Sequence, residues 1–238
     1  IDAASAAIVF KPSQELSDDE IRRLDEKLIQ SFTAGVETFP FEKIPKTAMI
    51  SHNGGAFAQP MAEYVVGVVL SCFRELRERH DKLVSGEWDQ LSPTRMLRGA
   101  ICAIIGYGSI GRQVSRLMQP FGVEIHGINR RGTTDDDIEF IGTPDDIEKV
   151  TRTADIIVLA LGLNKQTRHL FNSQKFGWLK SNAVVINVAR GGVIEQKAFY
   201  EWLVSHPQSR GCIDAWWREP INDGDFNTEY PFLGLPNV

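Results

Sequence analysis

Gly106-Tyr107-Gly108-Ser109-Ile110-Gly111 is the stretch of this 238-residue chain whose composition points most directly to chemistry. It follows the apolar run Ile101–Ile105, and helical character begins at Ile110. In that order the glycines have separate tasks. Gly106 permits a tight turn, Gly108 lets backbone approach a pyrophosphate, and Gly111 lets helix and strand pack closely. The pyrophosphate of a dinucleotide then lies on the helix N-terminus, where N–H groups and the helix dipole favour an anion, with Tyr107, Ser109 and Ile110 in the same cradle. A glycine-rich turn with no ligand is the alternative, and the strand–loop–helix context weighs against it. About 20 residues further on, at the end of a second strand, such a site reads the adenosine ribose. An acidic residue there accepts the 2′-hydroxyl and repels a 2′-phosphate, but this chain has Asn129-Arg130-Arg131. Two guanidiniums beside an uncharged amide suit a phosphate dianion through bidentate hydrogen bonds. NADP(H) is therefore favoured and NAD(H) possible, a solvated basic turn being the plainer alternative.

The elements that must position these residues are βαβ units. Beyond Gly99, apolar runs at 101–105, 123–128, 155–161, 183–188 and 211–215 read as strands. They alternate with helical patterns at 110–121, 144–152, 173–179 and 195–205. Continuous Val/Ile/Leu strands between helices imply a parallel sheet covered on both faces, a doubly wound α/β (Rossmann) domain. Before Pro60 the pattern is shorter and mixed: a strand at 7–10, a helix opened by the Ser17/Glu20 capping box and carrying Ile21, Leu24 and Leu28, and strands near 28–32 and 48–51. The expectation is a partial, smaller α/β domain over 1–59 and a dinucleotide-binding domain over 60–238. Pro60 reads as a first helical residue, and 61–80 as one long helix, apolar in its first half and charged in its second.

Composition limits the function classes. Apolar residues are 42% and charged residues 24%, with a net charge of −5, which argues against nucleic-acid or anionic-membrane partners. No apolar run approaches membrane-spanning length, and Ile1-Asp2 opens no signal-peptide pattern. Three widely spaced cysteines, Cys72, Cys102 and Cys212, form neither a disulfide framework nor a zinc motif, so a reducing, cytoplasmic setting is expected. The run Asp135-Asp136-Asp137 reads as a solvated face, and no metal site is expected.

Three further motifs carry a resemblance: Asn187-Val188-Ala189-Arg190-Gly191-Gly192-Val193-Ile194, Asp214-Ala215-Trp216-Trp217-Arg218-Glu219-Pro220, and Ala62-Glu63 preceded by Asn53-Gly54. With the glycine loop, they make the chain resemble the D-isomer-specific 2-hydroxyacid dehydrogenases over nearly its whole length, with a flavodoxin-like smaller domain. The resemblance implies an oxidoreductase that interconverts a small 2-keto acid and its D-2-hydroxy acid with NAD(P). Reduction places negative charge on a carbonyl oxygen beside a carboxylate, so a fixed cation and a general acid are needed. Arg190, just past a strand end, is the implied cation and substrate clamp. Val188, Ala189 and Asp214 would face the cofactor. Ala34 and Gly35, through their backbone N–H groups, and Asn53 would hold the substrate carboxylate. Glu219 would polarise a catalytic histidine.

In the family that histidine lies a few residues after Pro-Asn-Val, here 236–238, and the expected picture is a chain lacking its first and last several tens of residues. His52, His80, His126, His169 and His206 are each better read as packed or solvated. The family's P-L-T-x-x-T loop appears as 162–167, matching only at Leu163 and Thr167. Trp216 and Trp217 read as packing or interface. A homodimer through 61–80 and 88–97 is implied by resemblance. The alternative is a catalytically silent NAD(P)-sensing regulator on the same fold. A methyltransferase is disfavoured, because methyl transfer needs no carboxylate clamp.

Overall fold

Ala-Ala-Ile-Val, Leu-Ile-Gln-Ser and Met-Ile-Ser form the first three strands, β1 (Ala6–Val9), β2 (Leu28–Ser31) and β3 (Met49–Ser51). The computed structural model describes residues 3–36 and 39–238, and the chain divides into two units between Phe57 and Ala58. In the first unit the strands pair in parallel in the order β1-β2-β3. Val9, Ile21, Leu24 and Ile29 form its core. Helix α1 (Pro12–Glu15), unexpected from sequence, starts on a proline, and the Glu15 carboxylate accepts from the Phe10 and Lys11 N–H groups. Helix α2 (Asp18–Arg22) opens on the full Ser17/Glu20 capping box but is short. Leu28, which the sequence offers both to this helix and to a strand near 28–32, begins β2. Glu26, at φ 54, lies in the left-handed region between the two elements.

The second unit begins with α3 (Ala58–Arg74), two residues ahead of Pro60. The single long helix expected over 61–80 is two helices, because Glu75 adopts φ 52 and ψ 44 before α4 (Leu76–Val84) starts. The rest follows a βαβ course: β4 (Ile101–Ile105), α5 (Ser109–Met118), β5 (Glu124–Ile128), β6 (Phe140–Gly142), α6 (Ile147–Thr153), β7 (Ile156–Leu159), α7 (Ser173–Phe176), β8 (Val184–Asn187), α8 (Gln196–Ser205), β9 (Arg210–Ile213) and α9 (Pro220–Asp223). All six strands of this sheet run parallel, in the order β6-β5-β4-β7-β8-β9. Strand order reverses at β4, so the crevice between the C-terminal ends of β4 and β7 is where such a sheet binds ligand. One face is covered by Val65, Val69 and Phe73 of α3 with Val114 and Met118 of α5. The other is covered by Val150 of α6, Phe176 of α7, and Phe199 and Trp202 of α8. Buried on both faces, the strands need apolar residues at every position rather than at alternate ones.

Candidate active site

The loop between β4 and α5 shows why glycine stands at each of its three positions. Gly106 has φ +105, and a Cβ there would meet the Ala160 carbonyl oxygen at 2.5 Å. A Cβ on Gly111 would meet the Gly106 carbonyl oxygen at 2.6 Å and Ile104 at 2.9 Å. At Gly108 a Cβ would meet nothing within 4 Å, so this glycine keeps open space rather than close packing. The Gly106 and Tyr107 N–H groups donate to the Ile128 carbonyl at 2.9 and 2.7 Å, which ties the loop to β5. Helix α5 has no side-chain cap, and Arg112 N–H is bonded back to Gly108. Backbone donors of a helix start thus face an opening that no side chain fills. These features fit a dinucleotide pyrophosphate.

That opening belongs to a cleft of about 1610 Å³ lined by Gly106, Tyr107, Gly108 and Ser109 and, where the chain leaves β5, by Asn129, Arg130 and Arg131. Both arginines are exposed. Asn129 is placed differently from a ribose ligand: its Oδ1 accepts from the N–H groups of Arg131 (2.9 Å) and Gly132 (2.8 Å), and its Nδ2 donates to the Thr133 carbonyl (2.9 Å). Its side chain folds the turn that carries the arginines. Asp135 also lines the cleft, adding a carboxylate at this end. The next residue, Asp136, is bonded to Arg112 Nε at 2.7 Å, and that guanidinium holds its carboxyl below the usual range. Among the described residues no cluster of three or more His, Cys, Asp or Glu could hold a metal ion.

Ile110 and Gly111 are not among the residues that line this cleft, and neither are Val188, Ala189, Arg190, Asp214 and Glu219. The last five gather at the ends of the neighbouring strands β8 and β9. Asn187, fully buried at the last position of β8, holds them together. Its Nδ2 donates to the carbonyls of Arg190 (3.1 Å) and Ala215 (3.4 Å), its Oδ1 accepts from Ala189 N–H, and its own carbonyl accepts from Asp214 and Ala215 N–H. Gly191 lies so close to the Trp216 carbonyl that no Cβ fits between them. Arg190 has extended backbone, is exposed, and donates through Nη1 to the Ala189 carbonyl. Glu219 Oε1 accepts from Trp216 N–H at 3.0 Å. Partial burial, then the Glu219 carboxylate, push the Asp214 carboxyl up. Sequence reading passed over Asn187 as a positioning group. The signal was there: an amide ending the run Ala-Val-Val-Ile-Asn has no reason to be in a buried strand unless it is bonded.

The altered loop at 162–167 closes on itself. Thr167 Oγ1 donates to the Gly162 carbonyl at 2.8 Å, and Asn164 Oδ1 accepts from the Gln166 and Thr167 N–H groups. Gly162, Asn164 and Thr167 also line the cleft. Trp216 and Trp217 pack on Phe232, and Trp217 Nε1 donates to the Ile194 carbonyl, a structural role for both rings. In the first unit Asn53 Nδ2 donates to the Phe32 carbonyl and its N–H to the Thr33 carbonyl, joining the loops after β2 and β3. Thr33 Oγ1 donates to the Gly35 carbonyl at 2.6 Å, and Ala34 is exposed. Of the histidines, His126 stacks edge-on against Phe140, and burial pushes its pKa down. His206 lies on Trp202.

Residues 66–238 match the family model described as D-isomer specific 2-hydroxyacid dehydrogenase, NAD binding domain. A protein of Methanocaldococcus jannaschii named D-3-phosphoglycerate dehydrogenase is 29% identical over 237 residues, covering 97% of this chain and 45% of the relative. A hydroxypyruvate reductase of Thermotoga maritima is 28% identical over 215 residues, covering 89% of this chain and 68% of the relative. Among solved structures, a D-isomer specific 2-hydroxyacid dehydrogenase family protein from Aeromonas salmonicida superposes with a TM-score of 0.87 at 25% identity, covering 100% of this chain and 74% of its own. The chain thus spans about half of the first relative and about two thirds of the second.

Proposed function

The chain belongs to the D-isomer-specific 2-hydroxyacid dehydrogenase family, and from that premise we propose that it is an NAD(P)-dependent reductase of a small 2-keto acid to its D-2-hydroxy acid. The observation that carries this reading is the Asn187 clamp, which joins the arginine turn after β8 to the Asp214–Glu219 turn after β9 beside a dinucleotide cleft. A nicotinamide cofactor, when bound, would supply the hydride that reduces substrate C2. Gly106 to Gly111 hold the pyrophosphate, with Val188, Ala189 and Asp214 toward the nicotinamide end. Arg190 pairs with the substrate carboxylate and stabilises the charge that develops on the carbonyl oxygen. Ala34, Gly35 and Asn53 form the carboxylate pocket of the smaller domain. Glu219 is the carboxylate that would orient a proton-donating imidazole, which in the family lies a few residues after the Pro-Asn-Val found here at 236–238.

Arg130 and Arg131, carried on the turn that Asn129 folds, support NADP(H) as the preferred cofactor. A homodimer is supported by the large apolar side chains that α4 and the segment after it expose, Val84, Trp88, Leu91 and Met96 among them. Three unpaired thiols fit a cytoplasmic setting. No helix among the described residues is long and apolar enough to cross a membrane. The test is oxidation of NADPH and NADH by the full-length protein against glyoxylate, hydroxypyruvate and pyruvate. Turnover with at least one is expected. Nucleotide binding without turnover of any of them overturns the reading.

A further inference from the structure

Cys72 on α3 and Cys212 on β9 are 140 positions apart in sequence, yet their sulfurs lie 3.6 Å from each other. Both side chains are only partly buried, whereas Cys102 is fully enclosed. We propose that Cys72 and Cys212 are a peroxide-reactive modification site, oxidised by hydrogen peroxide to a disulfide that staples α3 to β9. This inference is independent of the dehydrogenase reading.

Geometry and charge both support it. Disulfide bonding needs a sulfur–sulfur distance of about 2.05 Å, so the sulfurs must close by roughly 1.5 Å. Among the described residues β9 forms a ladder with β8 alone, and its Gly211 N–H also donates to the Asn237 carbonyl, so the closure falls to the Cys72 and Cys212 side chains rather than to the strand. The thiolate is the reactive form of cysteine and is favoured by neighbouring cations. The hydrogen bond shared with Cys212 lowers the pKa of Cys72, and the Arg210 and Arg95 guanidiniums act in the same direction against burial and the Glu78 carboxylate. Arg210 Nη2 binds Glu78 at 2.9 Å, while its Nε is buried with no hydrogen-bond partner. Cys212 is shifted upward and remains the thiol. Burial alone pushes Cys102 up, which makes it the inert member of the three.

The chemistry balances in two displacements. The Cys72 thiolate attacks one peroxide oxygen and the O–O bond breaks. The departing hydroxide takes up a proton to leave as water, and Cys72 is left as a sulfenic acid. Cys212 then attacks the Cys72 sulfur, the S–O bond breaks, and that oxygen leaves as a second water with the proton from Cys212. Two thiols are oxidised by two electrons, and one peroxide is reduced to two waters. Asp214 lies two residues beyond Cys212, and Tyr64 of α3 shares the field of Asp214, Cys212 and Cys72. The staple therefore forms at one wall of the region that also holds Asp214.

The test is treatment of the reduced full chain with a few equivalents of hydrogen peroxide, followed by thiol titration and peptide mapping without reductant. Accessible thiols in the denatured product should fall from three to one. The Cys72 and Cys212 peptides should appear as one species, 2 Da lighter than their sum, within a single chain. In Cys212→Ser, dimedone should label Cys72; in Cys72→Ser, Cys212 should label far more slowly. Three retained thiols, a crosslink through Cys102 or between two chains, or preferential labelling of Cys212 would each overturn the proposal.

Discussion

The loop after β4 and the loop after β8 leave the same sheet in the same direction, but their construction differs. The first, Gly106 to Gly111, is made almost entirely of backbone: N–H groups, a positive φ at Gly106, and space that a Cβ would close. The second, from Val188 to Gly191, depends on one side chain. Asn187 reaches forward to Arg190 and across to Ala215, so one side chain joins this turn to the one after β9. Backbone suits a ligand part that is always the same, a pyrophosphate. A side-chain clamp suits a charged group that must be aimed.

Glycine replacement separates the two most strongly. Gly106→Ala combines a positive φ with a clash against the Ala160 carbonyl, and strain plus overpacking of this kind cost about 2–6 kcal/mol together. Loss of nucleotide binding by calorimetry is expected, with a lower melting temperature. Gly191→Ala drives a Cβ into the Trp216 carbonyl instead. It should leave nucleotide affinity nearly intact and remove keto-acid turnover. Equal loss of nucleotide affinity in both variants would erase the distinction.

Arg190→Lys sharpens the same contrast at the residue being aimed. Lysine keeps the charge but not the planar fork that holds two oxygens in one plane. Loss of such a donor costs about 10²–10³ in rate, well beyond the 0–1 kcal/mol of an exposed ion pair. Steady-state kinetics should show a lower kcat and a higher KM for the keto acid, with cofactor titration unchanged. A collapse of cofactor binding with normal substrate constants would mean that Arg190 serves the other loop.

Asn187→Ala tests the clamp itself. It leaves a small cavity and removes the side-chain partner of the Ala215 carbonyl and the Ala189 N–H, while the Arg190 carbonyl keeps the Val193 N–H, and each orphaned buried group costs about 1–3 kcal/mol. Stability should fall, and kcat with it, while Asn187→Asp, which keeps the acceptor toward Ala189, should recover only part of either. A variant that loses stability but keeps kcat would make Asn187 purely structural.

Much of this contrast was legible in the residues. The six-residue glycine loop and the apolar strands declare themselves because a strand buried on both faces cannot afford polar positions, so composition alone marks it. Strand β6 was missed because Phe140-Ile141-Gly142 is only three residues long and follows a polar turn. The break between α3 and α4 was missed because Arg-Glu-Leu-Arg carries no glycine or proline; Glu75 takes the left-handed conformation without either. Asn129 was legible by position but not by role. A sequence shows an amide where an acid is usual, but not that its bonds are already made to Arg131, Gly132 and Thr133.

That last difference sets the smallest of the expected effects. Asn129→Asp keeps an acceptor for the Arg131 and Gly132 N–H groups, so the turn should survive. It replaces the donor to the Thr133 carbonyl with a second oxygen, and it adds a negative charge beside the arginines. Asp135 already lines this end of the cleft, so the variant adds to an existing repulsion rather than creating the first one. A charge-assisted hydrogen bond is worth roughly 1.5–3 kcal/mol, and the exposed arginines should realise only the lower part of it. The expected shift is about tenfold in the ratio of NADPH to NADH affinity, toward NADH. Titration of both nucleotides against the parent and the variant measures it directly. If the parent binds the two equally and the variant changes neither, Arg130 and Arg131 are a solvated turn, and the β4 loop alone accounts for nucleotide binding.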